Sequence, residues 1–206
     1  MTSRRIIEGA LAQARATQEA LAADTRNLEA VAGFADAIVA TARAKGRLLS
    51  CGNGGSMSDA IHFASEWTGR FRDERDPVAA ISLSDPATIT CIANDYGFDQ
   101  IFARQVEALG GPGDLLVAIS TSGRSTNVHE AVLTAKRLGL RTVGLLGRGG
   151  GKIASEVDLP IVVPYATTAD RVQEVHIQII HAVLEAAERA LFPENYPSRE
   201  AAGRGD

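Results

Sequence analysis

Apolar runs of strand length alternate along this chain with helix-like patterns, and this alternation constrains the fold more than any other feature. Each run is apolar at successive positions, which predicts a strand buried on both faces. Strands of that kind form parallel sheets that helices cover on both sides. The runs lie at residues 47–51, 78–83, 115–119, 141–146 and 159–163. The sequence therefore predicts an α/β fold, a three-layer sandwich around a central, mostly parallel, five-stranded sheet.

Amphipathic patterns with helix-starting and helix-ending residues predict the helices that flank these strands. They lie at 3–22, 25–44, 86–94, 98–109, 125–138 and 169–191, with another from residue 56 and a brief helix between the turn at 147–151 and the last strand. The 206 residues contain no linker or internal repeat, so we expect one domain, 1–206. It comprises N-terminal helices at 3–44, a ligand-binding core at 47–192 and a frayed tail at 193–206.

Two turns, one after the first predicted strand and one after the third, carry the candidate ligand-binding residues. Their polar and glycine residues are Asn53, Gly54, Gly55 and Ser56 in the first turn and Ser120, Thr121, Ser122 and Ser125 in the second. Glycines allow the backbone to approach a ligand, and helix starts present free N–H groups to an anion. Neither turn is a Walker motif or a G-x-G-x-x-G motif. The pattern predicts a sugar-phosphate pocket at the strand ends, rather than a nucleotide site.

Composition excludes several other classes of protein. The formal net charge of −4 argues against a general nucleic-acid-binding surface. No run approaches the roughly 18 apolar residues of a membrane span, and the N-terminus lacks the apolar region of a signal peptide. Cys51 and Cys91 both lie in apolar runs, which is typical of reduced core cysteines. We therefore expect a cytoplasmic protein with neither nucleic-acid nor membrane partners.

Candidate catalytic side chains lie on two helices. His62 and Glu66 are four residues apart, so they share a helix face and can share a proton or a metal; alternatively they form an ordinary surface pair. His181 lies in the stretch 172–184, which is apolar on almost every side and predicts burial between subunits. By itself, His181 could equally be a core histidine with a satisfied hydrogen bond. Asn94 and Asp95 could be turn formers, and Arg70 could serve solubility alone.

The arrangement of these residues resembles the phosphoheptose (sedoheptulose-7-phosphate) isomerases, within the SIS class of sugar-phosphate domains with a flavodoxin-like sheet. The resemblance covers about residues 30 to 192. The combination of His62 and Glu66 with Gln173 and His181 is more specific than the serine turn, which is a general SIS feature. The matching motifs lie at residues 51–56, 59–66, 68–70, 93–97, 119–125, 169–176 and 180–181.

The resemblance implies an aldose–ketose isomerase that converts sedoheptulose 7-phosphate to D-glycero-D-manno-heptose 7-phosphate through an enediol. This reaction would be the first step of bacterial ADP- or GDP-heptose biosynthesis, which supplies lipopolysaccharide. Glu66 would be the base and His181 the acid/base partner. The hydroxyls of the second turn would bind the phosphate. The sugar would contact residues of the first turn together with Arg70, Asn94, Asp95, Asp170 and Gln173.

The resemblance also implies one zinc ion per subunit and a homotetramer. The zinc ligands would be His62, Glu66, Gln173 and His181. Gln173 and His181 are eight residues apart, about 12 Å along a helix, which favours a site shared between subunits. We accordingly expect Glu66 of one subunit to approach His181 of another.

A non-catalytic SIS protein is the alternative, either a sugar-phosphate sensor or a protein that binds the replication initiator. The resemblance separates the two possibilities. The initiator-binding relatives lack an acidic residue at the position of Glu66 and a histidine at that of His181, whereas this chain has both.

Overall fold

The strands of this protein form one parallel sheet in a computed structural model that describes residues 2–164 and 168–196. The strands are β1 (Leu48–Gly52), β2 (Ala80–Ser82), β3 (Leu115–Ser120), β4 (Arg141–Gly147) and β5 (Leu159–Val163). Their order is β2-β1-β3-β4-β5, and every neighbouring pair is parallel. The prediction of a five-stranded α/β sandwich is confirmed, with a sheet that is parallel throughout.

Helices cover both faces of the sheet. The helices are α1 (Ser3–Ala23), α2 (Thr25–Arg43), α3 (Gly55–Thr68), α4 (Pro86–Tyr96), α5 (Ala103–Leu109), α6 (Thr126–Arg137) and α7 (Ala169–Leu191). One core joins α2, α3 and α7 to the sheet, and the other joins α4, α5 and α6 to the opposite face. All positions of β1 and β3 are buried, as expected for strands covered on both sides.

The structure corrects three local predictions. The helix expected at 98–109 is divided into a 3-10 turn, Phe98–Gln100, and α5. The segment before β5 contains turns but no helix within the part of the chain that is described. The tail expected to be frayed from residue 193 begins with a 3-10 turn, Pro193–Asn195, because Asn195 donates a hydrogen bond to the Glu74 carbonyl oxygen. Residues 197–206 of that predicted tail lie outside the described residues.

Helix α7 is amphipathic in the single chain, and burial of its stretch 172–184 between subunits stays a prediction. Gln178, His181 and Ala182 are exposed and share one face of the helix, while the opposite face packs on the sheet. The buried histidine of this helix is His176, whose Nε2 lies 3.1 Å from the Leu146 carbonyl oxygen. Burial lowers the pKa of His176 to about 4, so its imidazole is neutral at pH 7.

Residues 69–76 form a strap that lies along α7, and a buried ion pair fastens it. The Arg75 Nε atom lies 2.6 Å from Glu188 Oε1, and the side chains are 0% and 2% exposed. The same guanidinium donates to the backbone carbonyl oxygens of Glu66 and Trp67. It also lies between the rings of Trp67 and Phe192. Charged residues dominate this segment of the sequence, yet these partners allow Arg75 to be buried.

We predict that Arg75→Met lowers the free energy of unfolding by roughly 3–5 kcal/mol, because it leaves the Glu188 carboxylate buried without its cation. The control is Arg72→Ala. It removes the exposed ion pair of the same strap with Glu185 and should cost less than about 1 kcal/mol. Urea denaturation at one fixed protein concentration measures the free energy of unfolding of both variants. Equal losses in the two variants would contradict a fastening role for the buried pair.

Candidate active site

The two polar turns meet where the strand order reverses. β1 and β3 are adjacent and parallel, although β2 follows β1 in sequence. Connections from these strands leave toward opposite faces, so a crevice opens at their carboxyl ends, the usual ligand position in such sheets. Residues 53–56 follow β1, and the serine turn begins at the last residue of β3. The sheet therefore places both predicted ligand-binding turns side by side.

The first turn is shaped by two glycines and by the side chain of Gln173. Gly54 has φ +56° and precedes α3, whose first turn has no side-chain cap. Gly55 is covered by the Gln173 amide, since a Cβ at Gly55 would lie 2.6 Å from Gln173 Nε2. Ser56 is buried at the start of the helix. The start of α3 and the Gln173 amide consequently lie at the same point of the crevice.

The second turn leads into α6, whose N-cap side chain makes no capping bond, although the Val128 N–H donates to Asn127 Oδ1 at 2.9 Å. Ser125 is the N-cap residue, but its hydroxyl lies 3.1 Å from the Ser120 hydroxyl and makes no capping bond. Ser122 Oγ accepts a hydrogen bond from the Arg124 N–H at 3.2 Å. Hydroxyls and free helix N–H groups together form a site suited to an anion.

The glycine-rich turn after β4 supports the serine turn from behind. Gly123 has φ +61°, and a Cβ there would overlap the Gly150 carbonyl oxygen. A Cβ at Gly147 would lie 2.8 Å from the Thr121 carbonyl oxygen. The Ile153 N–H donates to the Gly123 carbonyl oxygen at 3.1 Å. Backbone contact between the two turns thus explains glycines that the sequence showed only as a loop.

Asn127 joins the two turns and was not singled out in the sequence. Its side-chain amide exchanges two hydrogen bonds with that of Asn53, each 2.8 Å long. Asn127 is buried in the first turn of α6. The sequence shows Asn127 two positions after Ser125, but it does not show the hydrogen-bond partner Asn53, which is 74 residues away. The pair fixes the spacing between the starts of α3 and α6.

His62, Glu66 and His181 lie together where α3 runs beside α7. Nε2 of His62 lies 3.2 Å from Glu66 Oε1 and 3.0 Å from Nε2 of His181. A hydrogen bond between two imidazole nitrogens requires one donor and one acceptor, so neutral rings here differ in tautomer. The side chains of His62 and Glu66 are 40% and 21% exposed, which leaves room for a ligand. This arrangement can pass protons along a chain of three groups.

Within one chain, His62 contacts both Glu66 and His181, while the approach of Glu66 of one subunit to His181 of another stays a prediction. Helices α3 and α7 run alongside each other, with Gly55 near Gln173 and His62 near His181. Gln173 lies two turns before His181, about 12 Å along the axis. The four expected metal ligands consequently do not all meet in one chain. Within the described residues, no group of three or more His, Cys, Asp or Glu has the geometry of a metal site.

Asp59 is a further polar residue of this region that the sequence did not single out as functional. It lies on α3 one turn before His62, and its Oδ2 is buried with no hydrogen-bond partner among the described residues. Burial raises the pKa of Asp59 to about 6, and the neighbouring His62 limits the rise. Asp59 lies within the matched segment 59–66, which contains several polar residues, so nothing in the sequence selects Asp59 among them.

Four expected substrate contacts have other partners among the described residues. Asn94 and Asp95, expected in a loop, lie in the last turn of α4 and bond to each other at 2.7 Å. Arg70 is exposed and lies 3.8 Å from Glu74. The Asp170 carboxylate accepts hydrogen bonds from Thr168 and Arg171, which lower its pKa to about 2. None of the four is hydrogen-bonded to the polar turns or the histidines in the described parts of the chain.

A family model described as the SIS domain matches residues 11–147, so the chain is an SIS-domain protein. A phosphoheptose isomerase from Fusobacterium nucleatum is 56% identical over 150 residues, 73% of this chain and 77% of that protein. Solved structures of phosphoheptose isomerases from Neisseria gonorrhoeae and Francisella tularensis are 42% and 36% identical, with TM-scores of 0.83 and 0.86. They cover 91% and 92% of this chain, which in turn spans 99% and 100% of theirs.

The chain belongs to the phosphoheptose isomerase family. It is an enzyme, a sugar-phosphate isomerase. The resemblance found in the sequence is thereby confirmed. Among the described residues, no helix combines the length and the apolar composition needed to cross a membrane.

We predict that Ser120→Ala with Ser122→Ala weakens binding of sedoheptulose 7-phosphate by roughly tenfold or more, because hydrogen-bond donors to the charged phosphate are lost. Ser155→Ala, which removes an exposed hydroxyl bonded to the Lys152 carbonyl oxygen, serves as the control and should bind normally. Calorimetry with sedoheptulose 7-phosphate and with sedoheptulose compares the phosphorylated and free sugars. Equal affinity of the unaltered protein for both sugars would contradict the phosphate site.

Proposed function

We propose that this protein interconverts sedoheptulose 7-phosphate and D-glycero-D-manno-heptose 7-phosphate. The observation that carries the proposal is the contact of Glu66, His62 and His181 beside the starts of α3 and α6. His62 lies seven residues after Gly55, about 10 Å along α3. A sugar as long as a heptose can place its phosphate at the turns and its first two carbons near the histidines. This spacing supports a long sugar phosphate as the substrate.

The proposed reaction uses Glu66 as a base and His181 as an acid/base. In the open-chain ketose, the Glu66 carboxylate removes a proton from C1, and the electron pair forms the C1–C2 double bond of an enediol. His181 protonates O2 as the carbonyl bond opens. It then removes the O1 proton while Glu66 returns its proton to C2, which yields the aldose. His62 lies between these groups and orients them through its Nε2 atom.

We also propose one zinc ion per subunit. Two imidazole nitrogens and a carboxylate oxygen are ordinary zinc ligands, and these atoms of His62, His181 and Glu66 are neighbours in the structure. A zinc ion held by them would polarise the substrate carbonyl. Gln173 lies two turns away in the same chain, so its participation as a ligand would require a second subunit.

The zinc proposal predicts about one zinc ion per chain when the protein is purified without chelator, and a large loss in His62→Ala. His129→Ala is the matched control, because His129 lies on α6 at the opposite face of the sheet. Elemental analysis of the three proteins measures the metal content. Equal zinc in the unaltered protein and His62→Ala would place the metal elsewhere.

Assembly, location and pathway complete the proposal. We propose a homotetramer, supported by exposed apolar side chains on α1, among them Ile6, Ile7 and Leu11. A cytoplasmic location is supported by Cys51 and Cys91, which are both free thiols. The reaction would begin bacterial ADP- or GDP-heptose synthesis and so serve lipopolysaccharide. A non-catalytic role is less well supported, since Glu66 and His181 are both present and share the partner His62.

We predict that Glu66→Gln lowers kcat about 100-fold or more while sedoheptulose 7-phosphate still binds, because the variant keeps the shape of the side chain but cannot take a proton. Glu107→Gln, which alters a surface carboxylate paired with Arg137, should remain fully active. The rate at which aldoheptose phosphate forms from sedoheptulose 7-phosphate measures the activity of both variants. An inactive unaltered protein would refute the substrate, and an active Glu66→Gln would refute only the role of Glu66.

A further inference from the structure

The strap of residues 69–76 contacts α7 at three successive levels. Phe71 stacks on His181, Arg72 pairs with Glu185 at 2.8 Å, and Arg75 pairs with Glu188 at 2.6 Å. The contacted residues of α7 are three or four positions apart, so they lie on one stripe of the helix. The strap is thus fixed to the same helix face that carries the catalytic histidine.

The His181 imidazole stacks on Phe71 and contacts the His62 ring at a tilted angle of 58°. Its centroid lies 5.9 Å from that of Phe71, at an interplanar angle of 30°, and 5.1 Å from that of His62. Its single hydrogen bond among the described residues is the one from Nε2 to His62. One hydrogen bond leaves an exposed side chain free to change rotamer, whereas a stacked ring restricts its plane. Stacking on Phe71 therefore restricts the plane of the His181 imidazole, which its one hydrogen bond does not fix.

The Phe71 ring is itself held in place from two sides. It packs against the core shared by α2, α3 and α7. The Arg72 guanidinium lies 5.1 Å from its centroid and is retained by Glu185. A ring anchored in this way can impose its orientation on the histidine rather than follow it.

We propose that Phe71 is a positioning residue for His181, and that its ring keeps Nε2 of the imidazole directed at His62 and the substrate. This inference rests on the proposed role of His181 in the isomerisation. A small displacement of an acid/base group slows the chemical step while substrate binding persists. Phe71 is thereby distinguished from a residue that only fills space, for which any apolar side chain of similar size would suffice.

The kinetic test compares Phe71→Leu with Phe71→Tyr. Leucine keeps apolar bulk but removes the flat ring, whereas tyrosine keeps the ring. We expect Phe71→Leu to lower kcat roughly tenfold to 100-fold with KM changed less than about twofold, and Phe71→Tyr to retain most of the activity. Asp73→Ala, which alters an exposed strap residue and leaves the ring and its Arg72 contact in place, is the control and should keep normal kcat. Equal kcat in the leucine and tyrosine variants would overturn the proposal.

A spectroscopic test decides the stacking independently of turnover. The ring current of Phe71 shifts the NMR signals of the His181 ring protons, so Phe71→Leu should move them and Phe71→Tyr should largely preserve them. The His129 signals, on the other face of the sheet, should stay unchanged. His181 signals that do not respond to Phe71→Leu would overturn the proposal. If sedoheptulose 7-phosphate is not turned over, the proposed function fails, and the NMR result still decides the stacking.

Discussion

Burial of parallel strands on both faces is the constraint on which the rest of this structure depends. Because helices must cover each side of the sheet, the chain crosses from one face to the other, and the strand order reverses between β1 and β3. That reversal brings together two turns that are about 65 residues apart in sequence. The Asn53–Asn127 amide pair then fixes their spacing. The anion site follows from the way the sheet is built.

The proposed catalytic cluster has a different origin, the packing of α3 beside α7 on one face of the sheet. His62 and Glu66 on α3 and His181 on α7 are only partly covered by the neighbouring helix. These three side chains therefore meet at the edge of the hydrophobic core. The strap fastened by Arg75 and Glu188 closes the end of this helix pair. The same buried contacts that stabilise the C-terminal region therefore also hold the surroundings of His181.

The sequence predicted the strands, most helix bounds and the two polar turns, because each depends on local periodicity or on glycine and hydroxyl residues in a short segment. It did not indicate that Arg75 is buried, because its neighbours in the sequence are charged, or that α7 has an exposed stripe of small and polar residues. It also missed Asn127, because the need for an amide there arises only from Asn53 across the crevice. In each case the missing information is a contact with a residue that is far away in the sequence.

The sequence by itself determined the α/β class, the two polar turns at strand ends and the resemblance to phosphoheptose isomerases, since motifs and periodicity are properties of local order. Only the tertiary structure decided which side chains meet. It brought His181 to His62 within one chain and stacked Phe71 on the imidazole. It placed Gln173 beside Gly55, about two helical turns before His181 along α7. The physical reason is that such contacts depend on how helices pack on the sheet, and helix packing is set by side chains spread over the whole chain.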